Sequence, residues 1–137
     1  MSTPDSPFLA LAQRYAATVD ARRFDELDQV FTADAVLETG RGHRDGLAEI
    51  TAAMAGLHRY DRTEHRVFAA HTDTDGVEAT GTVESEAHHW FVEDERRRDR
   101  VMEITYHDRY VNTADGWRIV HRRLDIHRSE TIDAADD

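Results

Sequence analysis

The chain has 137 residues, room for one domain with a core and a pocket but not for two domains. Asp and Glu number 28 against 17 Lys and Arg, a formal charge of −11 that offers no basic stripe to nucleic acid or an anionic membrane. With no Cys there is neither a disulfide frame nor a thiolate nucleophile, and no apolar run approaches the length of a membrane span.

The opening "MSTPDSPF" lacks the basic-then-apolar layout of a signal peptide, so a cytoplasmic location is expected. In "SPFLALAQRYAATVDA", Ser6 is placed to cap a helix with Pro7 at its first position, where a missing N–H costs nothing. Phe8, Leu11, Ala12, Tyr15, Ala16 and Val19 recur at three- and four-residue spacing and mark its buried face. A short second helix is predicted in "FDELDQVF", with Phe24, Leu27, Val30 and Phe31 inward. "DAVLE" reads as a strand, "GRGHRDG" as a loop, and "DGLAEITAAMAGL" as a third helix with Leu47, Ile50 and Met54 inward.

From Thr63 the period changes from 3.6 to 2. "TEHRVFAAH" is a strand, and "DTDG" a turn ending in the hairpin dipeptide Asp75-Gly76. A long strand, "VEATGTVESEAHHWFV", leads to the charged turn "EDERRRD". "RVMEITYHDRYV" and "WRIVHRRLDIH" follow as strands around the turn "NTADG". The acidic residues 129–137 read as a flexible tail, leaving a core of residues 6–128. Three helices followed by mostly antiparallel strands make the class α+β: a cone-shaped barrel in which the helices pack on a strongly curved sheet enclosing a pocket. That arrangement requires Phe8, Leu11, Val19, Leu27, Phe31, Ile50, Val67, Trp117 and Leu124 to be largely buried.

Alternation assigns the strand faces. His65 shares a face with Val67 and Ala69, and Arg122 with Val120, Leu124 and Ile126. In the long strand Ala79, Gly81, Val83, Ser85, Ala87, His89 and Phe91 form the less polar face. Of the pair "HH", His89 is therefore expected inward and His88 outward, an order that a bulge would reverse. An Arg on an apolar face must find an anion, such as Asp108 or Asp125, or reach the cavity mouth. Asp20 lies at the end of the first helix, where the macrodipole already places negative charge and should raise a carboxylate's pKa. A raised pKa suits a general base; capping the next helix or facing water is the plainer role. His65, His89 and Tyr15 are each unremarkable as core residues, and His43, His58, His71, His107, His121 and His127 read as surface or structural. Convergence lifts Asp20, His65 and His89 above these plain readings, because four elements each direct one polar group to one cavity.

"RYAATVDARRFDELDQVFTADAVLETG" and "YHDRYVNTADGWRIVHRRLDI" resemble SnoaL-like domains of the nuclear transport factor 2-like superfamily over roughly residues 6–128. Within it the pattern is most similar to scytalone dehydratase and bile-acid dehydratase-like proteins. The resemblance implies that Asp20 supplies the helix acid, His65 of "RTEH" the strand histidine and His89 the group on the next strand. Val19 stands where the fungal melanin enzyme has a Tyr, a departure from the pattern, so the resemblance does not carry that enzyme's substrate over to this chain. The expected function is a cofactor-free acid–base enzyme on a small apolar carbonyl compound. Dehydration comes first, with isomerisation or polyketide-type cyclisation close behind. Asp20, His65 and His89 are the catalytic candidates, and Tyr15, Arg122, Tyr106 and His88 those for substrate binding. A metal held by Asp20, His65 and His89 lacks a short-spaced ligand motif, and no metal is expected. A non-catalytic ligand-binding or dimerisation module is the alternative. A small-molecule substrate and a homodimer are the expected partners, with Phe68, Trp90 and Val111 on the outer face available for the contact.

Overall fold

A computed structural model describes residues 6–134. Helix α1 (Pro7–Asp20) begins as its sequence requires: the Ser6 side chain accepts a hydrogen bond from the Leu9 N–H, with Pro7 at the first position. Its buried face holds Phe8, Leu11, Ala12, Tyr15, Ala16 and Val19. The predicted second helix is a 3-10 turn (Phe24–Gln29), and Phe31 already opens strand β1 (Phe31–Thr39). "GRGHRDG" is not wholly a loop: Gly42–Asp45 forms strand β2, exposed along its length and paired antiparallel with β1. Helix α2 (Leu47–Met54) runs into a second 3-10 turn (Ala55–Arg59). Strands β3 (Arg62–Thr74), β4 (Glu78–Glu93), β5 (Arg96–Thr113) and β6 (Gly116–Asp133) complete the chain.

The six strands form one curved sheet in the order β2-β1-β6-β5-β4-β3, antiparallel throughout except where β1 runs parallel to β6. The sheet does not close, so β2 and β3 are edges and α1 covers the inner face beside β3. The core is one cluster joining α1, the first 3-10 turn, α2 and the inner faces of β1, β4, β5 and β6. Phe8, Leu11, Val19, Leu27, Phe31 and Ile50 are buried in it as expected, while Val67, Trp117 and Leu124 pack at its margin half-buried.

Three local features differ from the expected pattern, and each re-aims side chains. Phe68 is an extra residue in β3: Val67 pairs with Ser85 and Ala69 with Glu84, so Ala70, not Ala69, continues the inner face. Val120 is an extra residue in β6: Tyr110 pairs with Ile119 and Asp108 with Arg122, so fully buried Ile119 replaces Val120 beside Arg122. Such bulges shift one strand by a residue without marking the composition. Thirdly, the β4–β5 turn is only Asp94-Glu95, both with positive φ (52° and 63°). "RRRD" therefore belongs to β5, and its Arg98–Met102 pairs with Ser129–Asp133. The acidic tail expected to be flexible from residue 129 is thus strand up to Asp133, and residues 135–137 lie outside the described residues.

Candidate active site

The C-terminus of α1 is a Schellman ending. The Arg23 N–H bonds the Thr18 carbonyl at 2.9 Å and the Arg22 N–H that of Val19 at 3.1 Å, with Arg22 left-handed at φ 63°. Glycine usually takes that place, and an Arg there carries a backbone cost of about 1–2 kcal/mol. Its side chain is put to use. The Arg22 guanidinium donates to the carbonyls of Val19 (3.2 Å) and Leu57 (3.2 Å) and to the Thr63 hydroxyl (2.8 Å). Thr63 in turn donates to Asp20 Oδ1 at 3.0 Å.

Asp20 accepts two further hydrogen bonds from β3. The His65 backbone N–H reaches Oδ2 at 2.8 Å, and His65 Nδ1 lies 2.7 Å from Oδ1. An ionised carboxylate only accepts, so His65 Nδ1 carries the proton and, in the neutral ring, Nε2 carries the lone pair. The expectation of a raised pKa at Asp20 is overturned. Burial pushes it up, but the bonds and charge of His65 and the Thr63 hydroxyl outweigh burial and hold it below the ordinary carboxylate value. The helix dipole is outmatched by donors pointing at both oxygens. Asp20 is thereby a carboxylate that fixes a histidine, not itself a base of tuned strength.

His89 faces inward as alternation predicts and is 5% exposed. Its ring stands edge-on to His65 with centroids 5.8 Å apart and leans on Tyr60 at 4.9 Å. Its Nδ1 donates to the Arg100 carbonyl at 2.9 Å, leaving Nε2 as an acceptor. Burial pushes the His89 pKa down to about 4, so the ring is neutral at physiological pH. His88, one residue earlier, faces outward: Nδ1 lies 2.7 Å from Asp99 and Nε2 2.7 Å from Glu86, with Trp90 stacked on it. It stands on the opposite face of the sheet from the other candidates.

Tyr15 is buried, its ring edge-on to His65 at 6.2 Å. Among the described residues its hydroxyl donates only to the Met54 thioether at 3.7 Å, a weak acceptor, and burial keeps it un-ionised. Arg122 is fully buried and bidentate with Asp108, Nε to Oδ1 at 2.8 Å and Nη2 to Oδ2 at 2.7 Å. Its guanidinium packs against the rings of Tyr15 (4.7 Å) and Tyr106 (4.0 Å), which stand edge-on to each other. Arg122 and Tyr106 thus sit in the packed interior beneath Tyr15, and Arg122 is already committed to an anion of the protein's own.

A cavity of about 420 Å³ opens beside His89, lined in part by Tyr60, Phe91 and Arg100. A larger depression of about 510 Å³ on the other side of the sheet, lined by His71, Thr80, His107 and Arg123 among others, includes none of Asp20, His65 and His89. The smaller cavity likewise includes none of the three, but two of its walls reach His89: the Tyr60 ring packs on it and the Arg100 carbonyl accepts from its Nδ1. Among the described residues no group of three His, Asp or Glu side chains is placed to hold a metal, and no helix is long and apolar enough to cross a membrane. Sequence reading missed Arg22, Tyr60, Thr63, Arg98 and Arg100. The left-handed position of Arg22 has no glycine to announce it, Arg98 lies in the run read as a turn, and Arg100 opens the predicted strand with nothing in the sequence to set it opposite His89.

The SnoaL-like domain model matches residues 9–123. The chain belongs to the SnoaL-like domain family. An uncharacterised protein of Mycobacterium tuberculosis is 31% identical over 113 residues, covering 79% of this chain and 75% of that protein. A Novosphingobium aromaticivorans protein provisionally named a scytalone dehydratase shares the fold with a TM-score of 0.80 at 17% identity, over 96% of this chain and 87% of that one. A type 2 hexachlorocyclohexane dehydrochlorinase, LinA, does so with a TM-score of 0.73 at 16% identity, over 95% of both chains. The expected SnoaL-like fold, a cone of the nuclear transport factor 2 type, is therefore the fold of this protein.

Proposed function

We propose that this SnoaL-like protein is a cofactor-free acid–base enzyme acting next to a carbonyl, with loss of water as its first reaction and isomerisation or cyclisation as variants of the same proton transfer. The observation that carries this reading is the two-sided grip of Asp20 on His65, which fixes the ring and leaves Nε2 without a hydrogen-bond partner among the described residues. Relatives of the same fold named for dehydration and dehydrochlorination, both eliminations, agree with it.

In the proposed sequence His65 Nε2 removes the proton on the carbon next to the carbonyl, and the C–H electron pair becomes an enolate. Asp20 stabilises the imidazolium that forms. Tyr15, neutral and weakly engaged, turns its hydroxyl from Met54 to the enolate oxygen. The enolate then expels the β-hydroxyl, which takes the proton back from His65 and leaves as water. His89, held neutral, orients that hydroxyl by accepting its hydrogen bond. In an isomerisation the same proton returns to a different carbon.

The test uses β-hydroxy-β-phenyl ketones, neutral and para-carboxylated, in deuterated buffer. NMR should show deuterium entering next to the carbonyl, and ultraviolet absorbance should show the conjugated enone appearing. Both should be lost in His65→Gln. A second reading is favoured by one observation: Asp20 also ties α1 to the edge strand β3 through Thr63 and the His65 backbone. On a non-catalytic binding module it would be a structural clamp. Exchange that is absent with the wild type, or unchanged in a folded His65→Gln variant, would leave only that clamp.

A further inference from the structure

The cavity beside His89 has an unusual wall for a chain with a formal charge of −11. Arg41, Arg59, Arg98 and Arg100 all line it, with Tyr60 and Phe91 as its aromatic surfaces and Glu93 the single acid among the described residues that line it. The register of the sheet explains the clustering. Past His89 the inner face of β4 continues to Phe91, opposite Arg98 on β5, while His89 itself is opposite Arg100. The tight Asp94-Glu95 turn carries β5 far enough for both arginines to share that face.

These arginines are incompletely neutralised. Arg98 pairs with Asp133 at 2.6 Å, yet its buried Nε has no hydrogen-bond partner. Among the described residues Arg41, Arg59 and Arg100 show no carboxylate within ion-pair distance, although the chain carries an excess of acids. Arg59 instead lies over the Tyr60 ring at 5.0 Å. Like charges gathered around a partly enclosed cavity repel one another, and their field is focused by the low-dielectric walls. An anion relieves that repulsion.

We propose that the substrate is itself an anion. Its carboxylate or phosphate is held by Arg59 and Arg100, and its apolar body lies on Phe91 and Tyr60 and points toward His89. The Tyr60 ring contacts both Phe91 (6.0 Å) and His89 (4.9 Å), so one molecule of modest size reaches from the arginines to the imidazole. Planar guanidinium groups suit bidentate oxyanion recognition, and aromatic walls exclude the water that would compete for them. The inference rests on the catalytic reading of His65 and His89 only for what lies at the far end of the ligand; the anion site stands on the arginines.

Equilibrium binding separates the two. The full chain is titrated with naphthoate, naphthyl phosphate and the uncharged methyl ester of naphthoate, followed by fluorescence and by backbone NMR shifts. At least one anion should bind roughly tenfold or more tightly than the ester, the difference shrinking as salt rises. A preference for naphthoate or for naphthyl phosphate identifies the oxyanion. Arg59→Gln and Arg100→Gln should each remove most of that preference while the ester still binds; the backbone carbonyl of residue 100 that holds His89 is untouched by the substitution. Should Arg100→Gln fail to fold, the more exposed Arg59→Gln carries the test. Equal affinity for acid and ester, no binding of either anion, or an anion preference that survives in folded Arg59→Gln overturns the proposal. His65→Gln should retain the anion preference even as it loses proton exchange. An anion site without exchange would therefore sink the catalytic reading alone, and exchange without anion preference would sink this one alone.

Discussion

Two carboxylate pairs flank Tyr15, one with an arginine and one with a histidine, each with a 2.7 Å contact, and they are built for opposite purposes. Arg122 and Asp108 are both 0% exposed, the carboxylate takes two parallel N–H bonds, and the rings of Tyr106 and Tyr15 pack against the guanidinium. Burial works against the charged Arg122, but Asp108 more than offsets it and holds the group firmly protonated. Nothing there can exchange a proton. Asp20 and His65 form the other pair, with side chains 22% and 7% exposed. A histidine can give up a proton near neutral pH and an arginine cannot. The lesson is that the same salt-bridge geometry becomes an anchor or a proton-transfer unit according to the cation: the nitrogen left over is a protonated Nη1 in Arg122 and a ring nitrogen able to carry a lone pair in His65.

The largest effect should come from breaking the anchor. Asp108→Asn leaves a charged guanidinium uncompensated in the core, and loss of one partner of a buried pair typically costs about 3–5 kcal/mol. Urea unfolding should show that loss. The double variant Arg122→Met, Asp108→Leu, which removes both charges, should recover most of it. A single variant that unfolds like the wild type would mean that water reaches Arg122.

Breaking the second pair should affect rate before stability. Asp20→Asn and His65→Gln should each lower turnover of the β-hydroxy ketones by roughly 100-fold or more, within the range usual for general acid–base groups. The double variant should fall far short of the product of the two, because the pair acts as a unit. Asp20→Asn should also lower stability by about 1–2 kcal/mol, since the amide nitrogen cannot accept a bond from β3. A stability loss with unchanged turnover would make Asp20 a clamp only.

What the sequence made legible were elements whose pattern runs unbroken. The α1 face from Phe8 to Val19 follows one period and is buried as read. The inner face of β4 alternates without a bulge from Ala79 to His89, which is why the two adjacent histidines could be assigned to faces at all. Asp20, His65 and His89 were accordingly placed close together. What was not legible depended on single residues that break period. Phe68 and Val120 each shift a strand by one position, and neither looks different from its neighbours. Arg22, Asp94 and Glu95 adopt positive φ without being glycine, so no helix end or tight turn was signalled. The last of these hid Arg98, and with it part of the arginine-lined cavity, because a run of charge resembles a loop until its partner strand is known. The pKa of Asp20 was misjudged for a related reason: the dipole is visible in a sequence, but three donors from a strand forty-odd residues away are not.

The histidines of β4 sharpen the comparison through pH. Burial lowers the His89 pKa to about 4, below its ordinary 6.5, so the unfolded chain takes up the proton first. Its contribution is complete above pH 6.5 and is lost as pH falls through 6.5 toward about 4. Between about pH 7 and pH 5 that slope amounts to roughly 2 kcal/mol. Urea unfolding across that range should be steeper with pH for the wild type than for His89→Gln. Equal slopes would mean that His89 is hydrated and can be charged in the folded protein.

His88 should give the smallest effect, of opposite sign. Burial favours its neutral form, but bonds to Asp99 and Glu86 outweigh burial and raise its pKa above 6.5. Both ring nitrogens face carboxylates at 2.7 Å, so both carry protons in the favoured state and none is left to act on a substrate. A raised folded pKa stabilises fully below 6.5, and the gain disappears as pH rises through the folded value. Glu86 and the His88 ring are partly solvated on the outer face, so screening reduces the gain to about 1 kcal/mol or less. His88→Gln should therefore be slightly less stable than the wild type near pH 6, indistinguishable from it near pH 9, and unchanged in turnover. The opposite trend, with the difference growing at high pH, would place a neutral ring between those carboxylates. His88 would then have an accepting nitrogen, as His65 does, and the distinction between a histidine held by two carboxylates and one held by a single carboxylate would fail.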